Sequence, residues 1–311
     1  MMDMKKKNKR KSILSILLLL EIAIVICIVC MGVFHFSKSE IVINSDLPTA
    51  LTAASLDHSA WIKDGRLVLA GEPYEDQDRA EEWKGLVQVA ISDDHVVALD
   101  AAGTAHAAGT DSSQQCGIDG LQNLTYIAAG MQCSVGILQD GTAQIFGVMD
   151  ESLRQALEQE KEIQMVSIGD RHVAVLHTDG TVSACGNNDS GQCEVGSWKN
   201  VRQIGVGYDY TAGLTTSGEI LFAGNDACDP STAEKWTKIQ AIAAGHQYLA
   251  ALDEEGNTYA AGDNLQGECN VNAWKNVESI AAGYDHTIGI SETGELYAVG
   301  YNGKGQCEVG E

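Results

Sequence analysis

Hydrophobic residues form one long run near the N-terminus and many short runs over the rest of the chain. The long run, Ile13 to Phe34, has 22 residues, and Glu21 is its only charged residue. At 1.5 Å per residue, a helix of this length spans roughly 33 Å, about one hydrocarbon core. Because the apolar side chains outweigh the cost of one carboxylate, roughly 3 kcal/mol, the pattern predicts a transmembrane helix over residues 13–34.

The residues around this run predict its orientation. The basic cluster KKKNKRK lies in residues 1–12, and basic flanks stay in the cytoplasm. The sequence after the run, HFSKSE, contains no Ala-x-Ala site, so we expect an uncleaved anchor; a cleaved signal peptide is the alternative. The predicted organisation is a cytoplasmic tail (1–12), a single membrane span (13–34), a linker (35–44) and an extracellular domain (45–311) in the cell membrane.

The short apolar runs repeat with a fixed period. Each repeat has a turn glycine that is followed six residues later by a second glycine; the turn glycines are Gly65, Gly103, Gly141, Gly180, Gly218, Gly256 and Gly294. Successive turn glycines are 38 residues apart, except for one spacing of 39. A third glycine lies eleven residues before the turn glycine in the last five repeats, and serine replaces it in the first two. Residues 45–311 are therefore predicted to be seven repeats, which leave no room for a second domain.

Each repeat predicts one small antiparallel sheet. In the last repeat, VESIAAG, HTIGISETG and ELYAVG predict strands, and QCEV predicts a short outer strand. A sheet this small cannot bury its own faces, but seven sheets packed around an axis can. The predicted fold class is all-β, a seven-bladed β-propeller preceded by one transmembrane helix. The first, third and fifth repeats lack the GQC-type segment, and in the third Asp150 predicts the N-cap of a short helix carrying Leu153 and Leu157.

The repeats share the pattern W-x-x-(V/I)-x-x-I-x-x-G-x-x-H, then DG-x-(V/L)-x-x-x-G-x-N-x-x-GQC-x-V. The stretch Trp274–Val309 follows it almost throughout. This pattern resembles the regulator of chromosome condensation repeats in their short bacterial form, over about residues 45–311. The resemblance implies a seven-bladed propeller and, by similarity to a secreted β-lactamase inhibitor protein of propeller type, protein binding through its loops. The family's eukaryotic founder exchanges nucleotide on a small GTPase through a wedge; no comparable insertion is found here, so that activity is not expected.

The charge of the chain restricts its partners. The net charge is −23, and because the first 40 residues hold seven basic and three acidic residues, residues 41–311 carry −27. Such a domain repels phosphates of nucleic acids and anionic lipids. We therefore expect no nucleic-acid partner, and we expect a protein partner with a basic or neutral surface. Simple solubility is the alternative reason for the acidity.

Histidine recurs at one position of the repeat, just after the first bend, as His58, His95, His172 and His286. Tyr210, Tyr248 and Cys133 hold this position in other repeats. Equivalent positions in separate sheets lie on a ring and do not converge on one ion. The prediction is a structural role, in which the imidazole hydrogen-bonds backbone between strands.

The cysteines and the remaining motifs indicate no chemistry. Residues 45–311 contain seven cysteines without zinc-site spacing. The GQC-type cysteines fall in different sheets and are expected to be small buried residues; they are Cys116, Cys193, Cys269 and Cys307. A disulfide between Cys185 and Cys193 stays open. No hydrolase, zincin or phosphate-loop motif occurs, so we predict no catalytic, cofactor-binding or metal-binding residue, no cofactor and no small-molecule substrate.

Together these patterns predict a membrane-anchored extracellular propeller that binds a protein through its rim loops and is not an enzyme. One alternative is a propeller hydrolase or lyase, which would need polar residues from several blades to converge at the central channel. The other alternative is a purely structural surface protein.

Overall fold

The computed structural model describes residues 51–225, 230–233 and 235–308. These residues form seven antiparallel sheets, each with three strands that pair in sequence order. The sheets are β1 (Thr52–Ala54), β2 (His58–Lys63), β3 (Arg66–Gly71); β4 (Leu86–Ile91), β5 (His95–Asp100), β6 (Ala105–Gly109); β7 (Leu124–Gly130), β8 (Cys133–Leu138), β9 (Ala143–Gly147); β10 (Ile163–Ile168), β11 (His172–His177), β12 (Val182–Gly186); β13 (Val201–Val206), β14 (Tyr210–Thr215), β15 (Ile220–Gly224); β16 (Ile239–Ala244), β17 (Tyr248–Asp253), β18 (Thr258–Gly262); β19 (Val277–Ala282), β20 (His286–Ser291), β21 (Leu296–Gly300). One sheet arises from each sequence repeat, as predicted.

The middle strand of each sheet is buried on both faces because each sheet packs between two neighbours. Strands β14 and β20 have no exposed residue, which explains their continuous apolar runs. The repeated tryptophans fill the space between sheets: a Cβ on Gly213 would lie 2.8 Å from the Trp198 ring, and one on Gly289 would lie 3.0 Å from the Trp274 ring. Glycine is required at these mid-strand positions because the indole ring occupies the space that a side chain there would need.

The first and last sheets are in contact, so the seven sheets close into a ring. The Thr52 and Ser279 hydroxyls are 2.8 Å apart, and the Tyr284 amide donates to the Ser55 carbonyl at 3.1 Å. The Gln306 side chain, after the last strand, donates to the Leu56 carbonyl at 3.2 Å. The seven sheets that were predicted to pack around an axis therefore form a closed ring, and the architecture is a seven-bladed propeller.

Short helices follow the sheets that lack a GQC-type segment. They are α1 (Gln77–Ala80), α2 (Glu151–Gln159) and α3 (Pro230–Ala233). The predicted N-cap of α2 is confirmed, since the Asp150 side chain accepts hydrogen bonds from the Ser152 and Leu153 amides. The predicted outer strand is wrong within the described residues: the second repeat has a 3₁₀ helix at Gln115–Ile118, and the other GQC-type segments are turns.

The predicted cytoplasmic tail, transmembrane helix (13–34) and linker lie outside the described residues. Within the described ranges, no helix combines the length and apolar character needed to cross a bilayer.

Candidate functional site

The two faces of the ring are built from different loops. The turn between the first and second strands lies beside the segment that follows the third strand; for example, the Tyr301 amide donates to the Asp285 carbonyl at 2.8 Å. We call the face made by these turns and segments the mouth face. The turn glycines and the connections to the next sheet form the opposite face, where the Leu86 amide donates to the Gly65 carbonyl at 3.0 Å.

Seven equivalent residues surround one end of the central channel on the mouth face. Each directly follows the bend glycine or serine between the first and second strands. We call them the mouth residues: Leu56, Asp93, Met131, Asp170, Tyr208, His246 and Tyr284. They line one open cavity of about 300 Å³ to which every sheet contributes. The ring thus brings together residues that are 37 or more positions apart in the sequence.

Three mouth residues from consecutive sheets form an aromatic arc, which comprises Tyr208, His246 and Tyr284. The His246 ring stacks on Tyr284, with centroids 3.7 Å apart and planes 20° apart. Tyr208 also contacts His246, and the centroids of these two rings are 4.7 Å apart. The guanidinium carbon of Arg171 lies 5.5 Å from the centroid of the Tyr208 ring. The arc therefore offers ring faces and edges at the mouth of the channel.

The mouth turns are strongly acidic. In each turn two residues follow the bend glycine or serine; six of these fourteen residues are aspartates, and Arg171 is the one lysine or arginine among them. Burial lowers the pKa of His246, although several aspartates, Asp285 first, act in the opposite direction, so this ring is neutral near pH 7. Burial also raises the pKa of the Asp285 carboxyl. The mouth face is consequently an anionic surface with an aromatic and apolar centre.

Lysines occupy the opposite face. Four of them share one repeat position, two residues before the first strand of a sheet. They are Lys84, Lys161, Lys199 and Lys275. Exposed acids such as Asp64 and Glu292 lie in the turns of the same face, so its charges are mixed. The turns and connections of this face nevertheless hold more acidic than basic residues, so the negative charge is spread over both faces.

The channel wall below the mouth combines small apolar residues with several polar side chains. Its cavity is about 240 Å³, and Glu278 is the only acidic or basic residue among the described residues that line it. The Gln88 amide group bonds the Ile127 carbonyl at 2.8 Å, and Gln203 bonds the Ile242 carbonyl at 2.8 Å, so both glutamines join neighbouring sheets.

The recurring histidines connect neighbouring sheets, and hydroxyl groups are among their partners. The Nε2 atom of His95 lies 2.8 Å from Ser134 Oγ, that of His172 lies 2.8 Å from Thr211 Oγ1, and that of His286 lies 2.9 Å from Ser59 Oγ. His172 also interacts with the Tyr210 backbone and His286 with the His58 backbone, in line with the expected backbone contact, and Tyr248 OH donates to the His286 carbonyl at 2.6 Å. His58 differs again and stacks on Tyr74 at 4.1 Å.

The six described cysteines are free thiols, so the disulfide left open between Cys185 and Cys193 is not formed. The GQC-type cysteines cap turns: the Cys193 amide donates to Asn188 Oδ1 at 2.8 Å, and its thiol donates to the Asn187 carbonyl at 3.4 Å. Burial raises the pKa of the Cys116, Cys193 and Cys307 thiols. Among the residues with described positions, no three His, Cys, Asp or Glu side chains gather as metal ligands would.

The mouth residues were not identified from the sequence. A signal for them exists: they follow the bend glycine or serine directly, and this position holds Leu, Asp, Met, Tyr or His in repeats that otherwise agree closely. Variation at one position inside a constant frame is what a recognition surface on a repeat scaffold requires.

Comparisons with known proteins agree with the repeat pattern. The family model for the Regulator of chromosome condensation (RCC1) repeat matches residues 163–192 and 277–306. No curated protein shows significant sequence similarity to the chain.

Several solved structures share the fold. Prp20p from Saccharomyces cerevisiae has 16% identity and a TM-score of 0.60, with 85% of each chain covered. Human WBSCR16 has 16% identity and a TM-score of 0.63, covering 79% of this chain and 88% of that chain. The CRINKLY WD40 ectodomain of the Arabidopsis thaliana receptor kinase ACR4 has 13% identity and a TM-score of 0.61, covering 81% and 95%. The predicted repeat resemblance is confirmed for the two matched segments, residues 163–192 and 277–306, and the propeller fold is confirmed by these structures.

Proposed function

We propose that this chain, a closed ring of regulator of chromosome condensation repeats, is a protein-binding scaffold that docks its partner on the mouth face. The fold suggests an interaction scaffold, and the related propeller Prp20p has binding properties toward Gsp1p and histones. We choose the mouth face because its mouth residues differ between repeats and line one open cavity. Tyrosine and methionine, which the set contains, are enriched in interface centres.

The charge of the mouth face selects the kind of partner. A surface with an excess of aspartate favours a partner whose contacting surface is basic or neutral, and it accelerates encounter with a basic one. Since exposed charges are screened by salt, association is expected to slow as ionic strength rises.

The proposal includes a location. The apolar run at residues 13–34 and its basic flank support a single-pass anchor with the propeller outside the cell. Protease added to intact cells should then degrade the propeller, while alkaline carbonate should leave the full-length chain in the membrane pellet. A chain that is protected from protease, or that is released by carbonate, would contradict this part of the proposal.

A photo-crosslinking amino acid placed at single positions of the full-length chain tests the docking face. Met131 is 59% exposed at the mouth, and Thr216 is exposed in a turn of the opposite face. We expect a discrete protein adduct from position 131 and none from position 216. Adducts from position 216 alone would move the interface to the opposite face. Adducts from neither position would favour the purely structural surface protein.

A further inference from the structure

The mouth cavity combines aromatic rings, carboxylates and apolar side chains in one site. Building on the proposed protein-binding function, we propose that this cavity binds the cationic head of a single arginine or lysine side chain, which projects from a loop of the partner. The aromatic arc and two carboxylates receive the charge, and the apolar mouth residues receive the aliphatic stem.

The aromatic arc already contacts one guanidinium group of this chain. The Arg171 guanidinium lies over the Tyr208 ring at 5.5 Å, within the distance of about 6 Å at which a ring face attracts a cation. Tyr284 and His246 extend the same wall of the cavity. Arginine side chains stack on such rings readily, because the guanidinium is planar and weakly hydrated.

Two carboxylates face the same cavity from other sheets. Asp93 and Asp170 both line it, and both are exposed. One oxygen of Asp93 accepts a hydrogen bond from the Leu56 amide at 2.9 Å. Asp170 has no hydrogen bond or ion pair with any described residue, so its carboxylate is available to an incoming cation. With His246 neutral, none of the seven mouth residues carries positive charge near pH 7.

His246 supplies a further acceptor. Its Nε2 atom is buried and has no hydrogen-bond partner among the described residues. In the tautomer protonated at Nδ1, this nitrogen accepts an N–H group. Since an unpaired buried polar atom is costly, a donor from an ammonium or guanidinium group would remove that cost.

The apolar part of the cavity distinguishes an amino-acid side chain from a small inorganic cation. Met131 is 59% exposed and Leu56 is 39% exposed, and both line the cavity with the acids and rings. Arginine and lysine bury their methylene stems against such surfaces while the charged head keeps polar contacts. A bare metal ion would leave these side chains without a role.

Binding of short capped peptides tests the proposal. The probes are Gly-Ser-Gly-X-Gly-Ser-Gly with X as arginine, lysine or citrulline, and saturation-transfer NMR measures their dissociation constants on the full-length chain in non-ionic detergent. Citrulline keeps the shape of arginine and removes its charge. We expect the arginine and lysine peptides to bind about tenfold tighter than the citrulline peptide.

Matched variants locate the effect. The double variant Asp93→Asn with Asp170→Asn should bring the arginine-to-citrulline ratio to about one, and asparagine retains the shape and the Leu56 contact. The double variant Asp64→Asn with Glu292→Gln removes the same charge from the opposite face and should keep the ratio near tenfold. Equal binding of arginine and citrulline peptides to the unmodified chain, or equal loss in both double variants, would overturn the proposal.

The crosslinking experiment separates this inference from the protein-binding proposal. Adducts at Met131 that persist with both mouth aspartates replaced, together with no preference for arginine over citrulline, would overturn the cation site and leave the docking face intact. The absence of any adduct would remove the docking function, and the peptide measurement would still decide the cation site.

Discussion

The buried histidines between sheets should make the stability of the ring depend steeply on acidity. Burial lowers the pKa of both His172 and His286 from 6.5 to about 4, and neither side chain is exposed. The unfolded chain therefore binds a proton at these sites before the folded chain does. The contribution of the two neutral histidines to the free energy of unfolding is present in full above pH 6.5 and is lost as the pH falls toward 4.

The magnitude follows from the two pKa values. One pKa unit corresponds to 1.36 kcal/mol, so each histidine lowers the free energy of unfolding by about 3 kcal/mol once the pH is below 4. At pH 5 the loss is about 2 kcal/mol for each histidine, or about 4 kcal/mol for the pair. Protonation also forces the loss of any hydrogen bond in which Nε2 accepts from Thr211 or Ser59.

Urea unfolding of the full-length chain at pH 7 and pH 5 measures this effect. Carboxylates titrate in the same range, so the informative quantity is the difference between the unmodified chain and the double variant His172→Gln with His286→Gln. Glutamine can still hydrogen-bond the neighbouring hydroxyl, but it does not titrate. Between pH 7 and pH 5, we expect the free energy of unfolding of the double variant to fall by about 4 kcal/mol less than that of the unmodified chain.

His177 provides the control, because its ring is partly exposed and lies 3.6 Å from the Glu160 carboxylate. The variant His177→Gln leaves both buried rings in place, so the acid dependence that they cause should remain. If the double variant and the unmodified chain lose the same stability on acidification, the buried histidines do not titrate as argued and the reasoning is wrong.

Three further predictions concern local features. Gly300 has φ of +108°, and a Cβ there would lie 2.3 Å from the Asp285 carbonyl oxygen; Gly300→Ala should cost more than about 2 kcal/mol in urea unfolding, whereas Gly196→Ala, with nothing within 4 Å, should change stability by less than about 0.5 kcal/mol. Asp150→Ala removes the cap of α2 and should cost about 1 kcal/mol; an unchanged urea midpoint would contradict the capping role. Burial raises the pKa of Cys133 to about 11, so its alkylation at pH 8, mapped by mass spectrometry, should be at least about tenfold slower in the folded than in the unfolded chain.

The period of the sequence predicted most of the fold. Turn glycines at a near-constant spacing such as Gly256 to Gly294 fix the number of sheets, and apolar runs on both sides of each turn fix strand order. The N-cap at Asp150 was also predictable because it depends on local hydrogen bonds. These features are encoded within one repeat or between adjacent repeats.

The conformation of the GQC-type segment was not predictable from its alternating pattern. In the last repeat, the Cys307 amide donates to Asn302 Oδ1 at 2.9 Å, and the Gln306 side chain reaches Leu56 in the first sheet. Side-chain hydrogen bonds thus compete with strand pairing and close a turn. The mouth residues were not predicted for a different reason. They lie close together only because repeats that are distant in the sequence close into a ring.

Ring closure is the claim on which the mouth cavity and both proposals depend, and a disulfide between the first and last sheets tests it most directly. The variant Thr52→Cys with Ser279→Cys replaces two hydroxyls that are 2.8 Å apart, and mass spectrometry after mild oxidation identifies the bond. The control is Thr52→Cys with Ser167→Cys, which lies on the fourth sheet of the same channel. The account predicts a disulfide between positions 52 and 279 and none between 52 and 167; no bond in the first variant, or equal bonding in both, would contradict a closed ring of seven sheets.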